Sequence, residues 1–192
     1  MTTLHWVRHG PTHEKAFTGW RDVPADLSNR DQITRLHRHL PGEAMLISSD
    51  LRRCVATADV LGTGRARLPH HAGLREFDFG DWDGKHFHEV EQTHPELSRA
   101  YWTTPGDIVA PGGESWNMAA RRISAVVDHL IAEHEGADIV IVAHFGAILT
   151  QVQRALDVTA AEVIAHKIDN LSVTDMRYDG TRWHVGQINH LP

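Results

Sequence analysis

The sequence has a single cysteine, Cys54, among its 192 residues. One thiol cannot close an internal disulfide, and it cannot supply a thiolate zinc site. A basic excess is also missing: 19 Lys and Arg face 25 Asp and Glu, a net charge of −6 with histidine neutral. Broad affinity for nucleic acid or for an anionic membrane surface needs the opposite balance, so no nucleic-acid and no membrane partner is expected. No apolar run approaches the roughly 18 residues that a membrane span requires. The opening residues, Met1 to His9, contain no apolar stretch of the kind a secretory leader carries. Three motifs of covalent and metal chemistry are absent as well: the Gly-x-Ser-x-Gly elbow, the His-Glu-x-x-His zinc signature and the phosphate-binding P-loop. The expectation is a soluble, cytoplasmic protein of one domain, residues 1–192. No sequence feature specifies an oligomeric state.

Apolar runs alternate with helical patterns along the chain. Leu4 to Val7 reads as a short strand ending at Arg8-His9-Gly10, and residues 11–29, rich in Pro, Thr, Gly and Asp, read as a long loop. A helix is predicted from Asn29 to about Leu40, a buried strand over Ala44–Ser48, and a helix from Leu51 to Leu61 stopped by Gly62. Arg65–His71 reads as a third strand, and one helix is expected near 87–102. Glu114–Glu133 carries Met118, Ile123, Val126, Val127 and Leu130 at helical spacing, with Met118, Ile123 and Val127 expected in the core. Asp138–Ala143 is the clearest buried strand, followed by a helix from Gly146 to Leu156. Leu171–Tyr178 and Thr181–Ile188 flank Asp179-Gly180, the pattern of a hairpin with a type I′ turn. Alternating strands and helices imply an α/β fold of three layers, α/β/α, around a mostly parallel sheet with a C-terminal antiparallel hairpin. Ligands in such sheets bind beyond the carboxyl ends of the strands.

Three strand ends carry groups suited to phosphate. Arg8 and His9 leave the first strand, Arg52 and Arg53 open the helix after the second, and His144 ends the Ile-Val-Ile-Val-Ala strand. Arginine grips phosphate bidentately and keeps its charge, and helix N-termini add oriented N–H donors. A neutral imidazole beside such a cluster can attack phosphorus, and nearby guanidinium charge keeps it neutral.

Five segments then occur in order: Arg8-His9-Gly10-Pro11-Thr12, Ser49 to Ala58, Leu74 to Gly84, Gly112-Gly113-Glu114-Ser115 and Val142 to Gly146. In these the chain resembles the histidine phosphatase superfamily, the phosphoglycerate-mutase-like group with an Arg-His-Gly motif, over nearly its whole length. The resemblance implies that His9 is the nucleophile, that Arg8, Arg53 and His144 complete the phosphate pocket, and that Glu76 is the general acid. Thr12, Lys15, Thr18, Gly19, Trp20 and Phe145 fall at positions lining the substrate side. Arg53 rather than Arg52 matches the family's arginine, and Cys54 stands in place of its alanine. Lys15 occupies a position often held by asparagine, Pro11 one often held by glutamate, and Phe145 one usually held by glycine.

The implied activity is metal-independent hydrolysis of a small phosphorylated metabolite, with no cofactor. A carboxyl beside phosphate has its pKa raised, which suits Glu76 to proton donation near neutrality. Family mutases carry a long insertion with clustered basic residues after the catalytic glutamate. The short stretch from Glu76 to Glu114 has no such cluster, and hydrolysis is favoured over mutase activity or a non-catalytic binding role. Arg121 and Arg122 come later, where ion pairing is expected. The Phe79-Gly80-Asp81-Trp82 stretch resembles the α-ribazole phosphatase branch, making α-ribazole 5′-phosphate the best named substrate.

Overall fold

The computed structural model describes residues 1–192. Its elements are β1 (Thr2–Arg8), α1 (Arg30–His39), β2 (Met45–Ser48), α2 (Arg52–Leu61), β3 (Ala66–Arg67), α3 (Phe87–Thr93) and α4 (Pro95–Thr103), followed by α5 (Trp116–Glu133), β4 (Asp138–Ala143), α6 (Phe145–Leu156), α7 (Ala160–Val163), β5 (Val173–Tyr178) and β6 (Trp183–Val185). The six strands form one sheet in the order β3-β2-β4-β1-β5-β6. β3, β2, β4 and β1 run parallel, and β5 and β6 add antiparallel pairings at one side. This is the expected mostly parallel sheet with a C-terminal hairpin. No helix is long and apolar enough to cross a membrane.

Alternation within the strands creates the layers, because successive side chains point to opposite faces. Leu4 and Trp6 of β1, Ile47 of β2, and Ile139 and Ile141 of β4 join Ile123 and Val127 of α5 and Ile148 and Val152 of α6 in the larger core. Their neighbours Val7, Leu46, Val140 and Val142 face the other way, onto Ile33 and Leu36 of α1 and Ala58 and Leu61 of α2. Each large aliphatic side chain buried this way contributes about 1.5–3 kcal/mol.

Several expectations need correction. The helix near 87–102 is two helices, since Pro95 at the first turn of α4 forces His94 out of helical geometry (φ −137°, ψ 59°). The third strand is only Ala66–Arg67, and Pro69 shortly beyond has no N–H with which to extend the ladder. The hairpin turn is not type I′. Tyr178 pairs with Trp183, leaving a four-residue loop in which the Asp179 carboxylate accepts from the Thr181 and Arg182 amides. Of the loop residues only Gly180 has positive φ, at 101°. Met118 is 41% exposed rather than in the core, because the buried stripe of α5 runs through Ala119, Ile123, Val126 and Val127. The short α7, capped by Thr159 with Glu162, was not legible in the sequence.

One buried arginine ties two helix ends together. Arg65, 7% exposed, donates to the carbonyls of His37 in the last turn of α1, of Leu40 and Pro41 just beyond it, and of Leu61 in α2. Carbonyls at a helix C-terminus have no partner within the helix, and a guanidinium fork satisfies several at once. Arg65→Met keeps the aliphatic stem and strands these carbonyls. Urea unfolding is expected to show a loss of about 2–4 kcal/mol. A midpoint equal to that of the native sequence would mean that water serves them instead.

Candidate active site

The register of the central strands brings two histidines together. Val7 pairs with Val142 and Arg8 with Ala143, and the His9 amide continues the ladder by donating to the Ala143 carbonyl at 3.0 Å. The next pair in this sequence is His9 and His144, two residues on from the valines that face α1 and α2. Their ring centroids lie 5.2 Å apart. His9 is buried, and its Nδ1–H donates to the Gly10 carbonyl at 2.7 Å. That bond fixes the tautomer and leaves Nε2 with its lone pair and no hydrogen bond. Burial, then the charges of Arg53 and Arg8, pushes the His9 pKa down to about 3 against the pull of its Gly10 bond, so the imidazole is neutral near pH 7. Thr57 of α2 accepts the Gly10 amide at 2.9 Å, and Asn170 donates to the His9 carbonyl at 2.8 Å.

Arg53 enters from the first turn of α2 and is fully buried. Its Nε donates to Nδ1 of His144 at 3.3 Å. His144 must therefore carry its proton on Nε2, which donates to Ser49 Oγ at 3.0 Å. Burial, followed by Arg53, holds His144 well below the ordinary histidine pKa. The other Arg53 nitrogens donate to the carbonyls of Gly19 at 2.6 Å and Arg21 at 2.9 Å, leaving further N–H groups for a ligand. Arg8, half-buried, donates to the Ile168 carbonyl at 2.6 Å, and its buried Nε has no partner. Burial works against the charge of both arginines, a strain that a bound anion relieves.

Glu76 completes the cluster. Its carboxylate accepts from the Phe77 amide at 3.0 Å and from the Gly146 amide in the first turn of α6 at 3.1 Å. A Cβ added at Gly146 would lie 2.5 Å from Glu76 Oε1, so any larger residue there would push the carboxyl from its seat. Burial raises the Glu76 pKa, opposed by these two backbone bonds and by Arg53 and Arg8. Two guanidiniums, two neutral imidazoles and a carboxyl suited to hold a proton thus share one buried site. Such a set can bind a phosphoryl group, attack it and protonate what leaves.

The expected substrate-side residues divide. Gly19 is buried, with no room for a Cβ, which would lie 2.3 Å from the Phe77 carbonyl. Phe145 lies 5.5 Å from the Arg8 guanidinium and, with Trp102 and Ile164, lines a small apolar cavity of about 30 Å³ beside Glu76. Trp20 is 37% exposed, but its indole N–H is already committed to the Glu76 carbonyl at 2.8 Å. Thr18 donates to the Ala16 carbonyl, Thr12 accepts from the Glu14 amide, and Lys15 is exposed without an ion pair. Arg52 is exposed, as expected of the intervening residue. Ser49, Thr57 and Asn170, which position the histidines, carried no signal of that role in the sequence. Arg122 does form the expected ion pair, with Glu114 at 2.7 Å. His86 and His88 sit at the cap and in the first turn of α3, and no three His, Cys, Asp or Glu side chains are grouped to hold a metal ion.

The model of the histidine phosphatase superfamily (branch 1) matches residues 4–191. Phosphoglycerate mutase-like protein 4 of Arabidopsis thaliana is 32% identical over 96% of this chain and 85% of its own. The adenosylcobalamin/alpha-ribazole phosphatase of Salmonella typhimurium is 28% identical over 86% of this chain and 85% of its own. The chain also matches the bifunctional protein Rv2228c of Mycobacterium tuberculosis at 33% identity, over 93% of its own length but spanning only 51% of that protein. Among solved structures, Bacillus stearothermophilus YhfR superposes with a TM-score of 0.91 at 28% identity, covering 100% of this chain and 98% of the other. With a family model spanning nearly every residue and the strand ends converging on one buried cluster of arginines, histidines and a glutamate, the chain belongs to the histidine phosphatase superfamily, branch 1, and is a phosphoric monoester hydrolase.

Proposed function

We propose that this chain, acting as one domain over residues 1–192, hydrolyses a small phosphorylated metabolite through a phosphohistidine at His9. The observation that carries this reading is the His9 imidazole: buried, held neutral, with Nδ1 tied to Gly10 and Nε2 free. In the first step the Nε2 lone pair attacks phosphorus while the bond from phosphorus to the ester oxygen breaks. The carboxyl proton of Glu76 passes to that oxygen, and the alcohol leaves. In the second step the Glu76 carboxylate takes a proton from water, whose oxygen attacks phosphorus. The bond from phosphorus to nitrogen breaks, orthophosphate departs, and the lone pair returns to Nε2. Arg8, Arg53 and His144 stabilise the transferring group throughout, and positioning plus charge supply most of the rate in such transfers. The arginines take the electrostatic part that a metal ion would otherwise play.

Among named esters, α-ribazole 5′-phosphate is the first candidate, supported by the 28% identical relative that bears its name and by the short segment after Glu76. A phosphate-release panel with excess EDTA, including sugar phosphates, p-nitrophenyl phosphate and 3-phosphoglycerate, tests substrate and metal dependence together. No preference for α-ribazole 5′-phosphate would remove that ester, and rapid interconversion of 2- and 3-phosphoglycerate without phosphate release would replace hydrolysis with mutase activity.

His9→Ala is expected to lower phosphate release by about a thousandfold or more and to abolish acid-labile, base-stable labelling of the protein by phosphate. Equal release from both proteins would show that the site is not catalytic. The pH profile follows from two shifts of opposite sign. His9 stays unprotonated down to about pH 3, so its protonation sets no limb near neutrality. Glu76 must be protonated to act as donor, and its pKa is raised. Activity should therefore persist above the ordinary carboxylate range and fall as pH rises through the Glu76 value. Glu76→Gln, measured as kcat/KM against pH, should erase that alkaline limb along with most of the rate.

A further inference from the structure

We propose that Arg122, together with Glu114 and Trp20, is a backbone clamp whose task is to seat the Glu76 carboxyl at the start of α6. This rests on the reading of Glu76 as proton donor.

Glu76 lies on an irregular stretch between two short 3-10 turns, Ala72–Leu74 and Gly80–Trp82. Neither a helix nor a sheet ladder satisfies its peptide groups, so side chains must do so if they are buried. Arg122 reaches in from α5 and donates to the carbonyls of Gly73 at 3.0 Å, Arg75 at 3.0 Å and Glu76 at 3.1 Å. Its remaining bonds go to both Glu114 oxygens, at 2.8 and 2.7 Å. Glu114 in turn accepts the Asp78 amide at 3.0 Å, while its own amide donates to the Asp78 carbonyl at 2.8 Å. Trp20 supplies a second donor to the Glu76 carbonyl at 2.8 Å, and its ring lies 5.0 Å from the Arg75 guanidinium and 5.8 Å from that of Arg122. The stretch is thus pinned at carbonyls 73, 75 and 76 and at amide 78.

The carboxyl it carries has little room. It fits between the Phe77 and Gly146 amides, where even a methyl group at position 146 would collide. The charged groups acting on it are Arg8 at the end of β1 and Arg53 on α2, and the neutral rings of His9 and His144 stand in the same site. A displacement of about 1 Å is enough to lose a proton-transfer geometry. Arg122 and Trp20 are positioning residues that act through Glu76. Trp20 then has a positioning job besides the substrate contact expected of it.

The leaving group supplies the test. An alkoxide needs a proton as it departs, whereas p-nitrophenolate leaves without one. We compare Arg122→Gln, Trp20→Phe and the exposed neighbour Arg121→Gln, measuring kcat/KM for glycerol phosphate and for p-nitrophenyl phosphate, because kcat/KM reports the transfer to His9 and not the later hydrolysis step that both esters share. In parallel, Glu76 is titrated by ¹³C NMR of labelled glutamate, with the resonance assigned through Glu76→Gln. The alkyl ester should slow about tenfold or more in Arg122→Gln and about threefold in Trp20→Phe, with the aryl ester changed less than about twofold. The Glu76 titration should fall toward the ordinary carboxylate range in both, and Arg121→Gln should match the native protein. Equal losses on the two esters, or an unmoved Glu76 titration, overturn the clamp. If Arg122→Gln does not fold, Trp20→Phe decides alone. A native protein that turns over neither ester defeats the phosphatase reading, and the titration still judges the clamp.

Discussion

Val7 pairs with Val142, and Arg8 with Ala143. A slip of one residue in that parallel register would turn one strand's side chains to the opposite face, and His9 would no longer stand beside His144. The register is held by burial on both sides. Leu4 and Trp6 seat one face of β1 in the larger core while Val7 seats the other against α1 and α2. Slippage would expose these apolar side chains and bury His5 and Arg8 in their place. The cohesion of the core therefore sets the spacing of the chemical groups at the strand ends.

Electrostatics at those ends is unbalanced in a way that favours an anion. Arg53 is fully buried and Arg8 half-buried, and each is desolvated. The histidines between them add no charge, because burial and the guanidiniums keep both neutral. Glu76 is buried too, and its raised pKa means that it also tends to lose its charge near the site. What remains is a positive, largely enclosed cradle with unused N–H groups and one open imidazole nitrogen. A phosphoryl dianion satisfies all of these conditions at once.

Two arginines away from the cradle hold irregular backbone by the same chemistry. Arg65 gathers carbonyls from the ends of α1 and α2, and Arg122 gathers those of the stretch carrying Glu76. A planar fork of donors can serve several carbonyls that no regular element serves. Arginine thus supplies rigidity to these two irregular stretches as well as charge at the site.

The sequence by itself determined the layered fold, through the short apolar runs Leu4–Val7 and Ile139–Ala143 and the helical spacing of Ile123, Val126, Val127 and Leu130. It also singled out Arg8, His9, Arg53 and His144, because the Arg-His-Gly, Leu-Arg-Arg and Ala-His segments each sit at a strand or helix terminus that local patterns reveal, whereas Glu76 was marked only by the resemblance to the histidine phosphatase superfamily. Only the tertiary structure decided the rest. Arg65 and Arg122 look like ordinary surface arginines in the chain, since their partners are carbonyls far away in sequence. Nothing in the chain indicates that the Trp20 N–H reaches the Glu76 carbonyl, a residue far along the sequence. Met118 misses the buried stripe of α5 by one position, a rotation of about 100° that spacing alone does not resolve. Period and termini are local properties written in neighbouring residues, whereas the partner of a long polar side chain is settled only when distant segments pack.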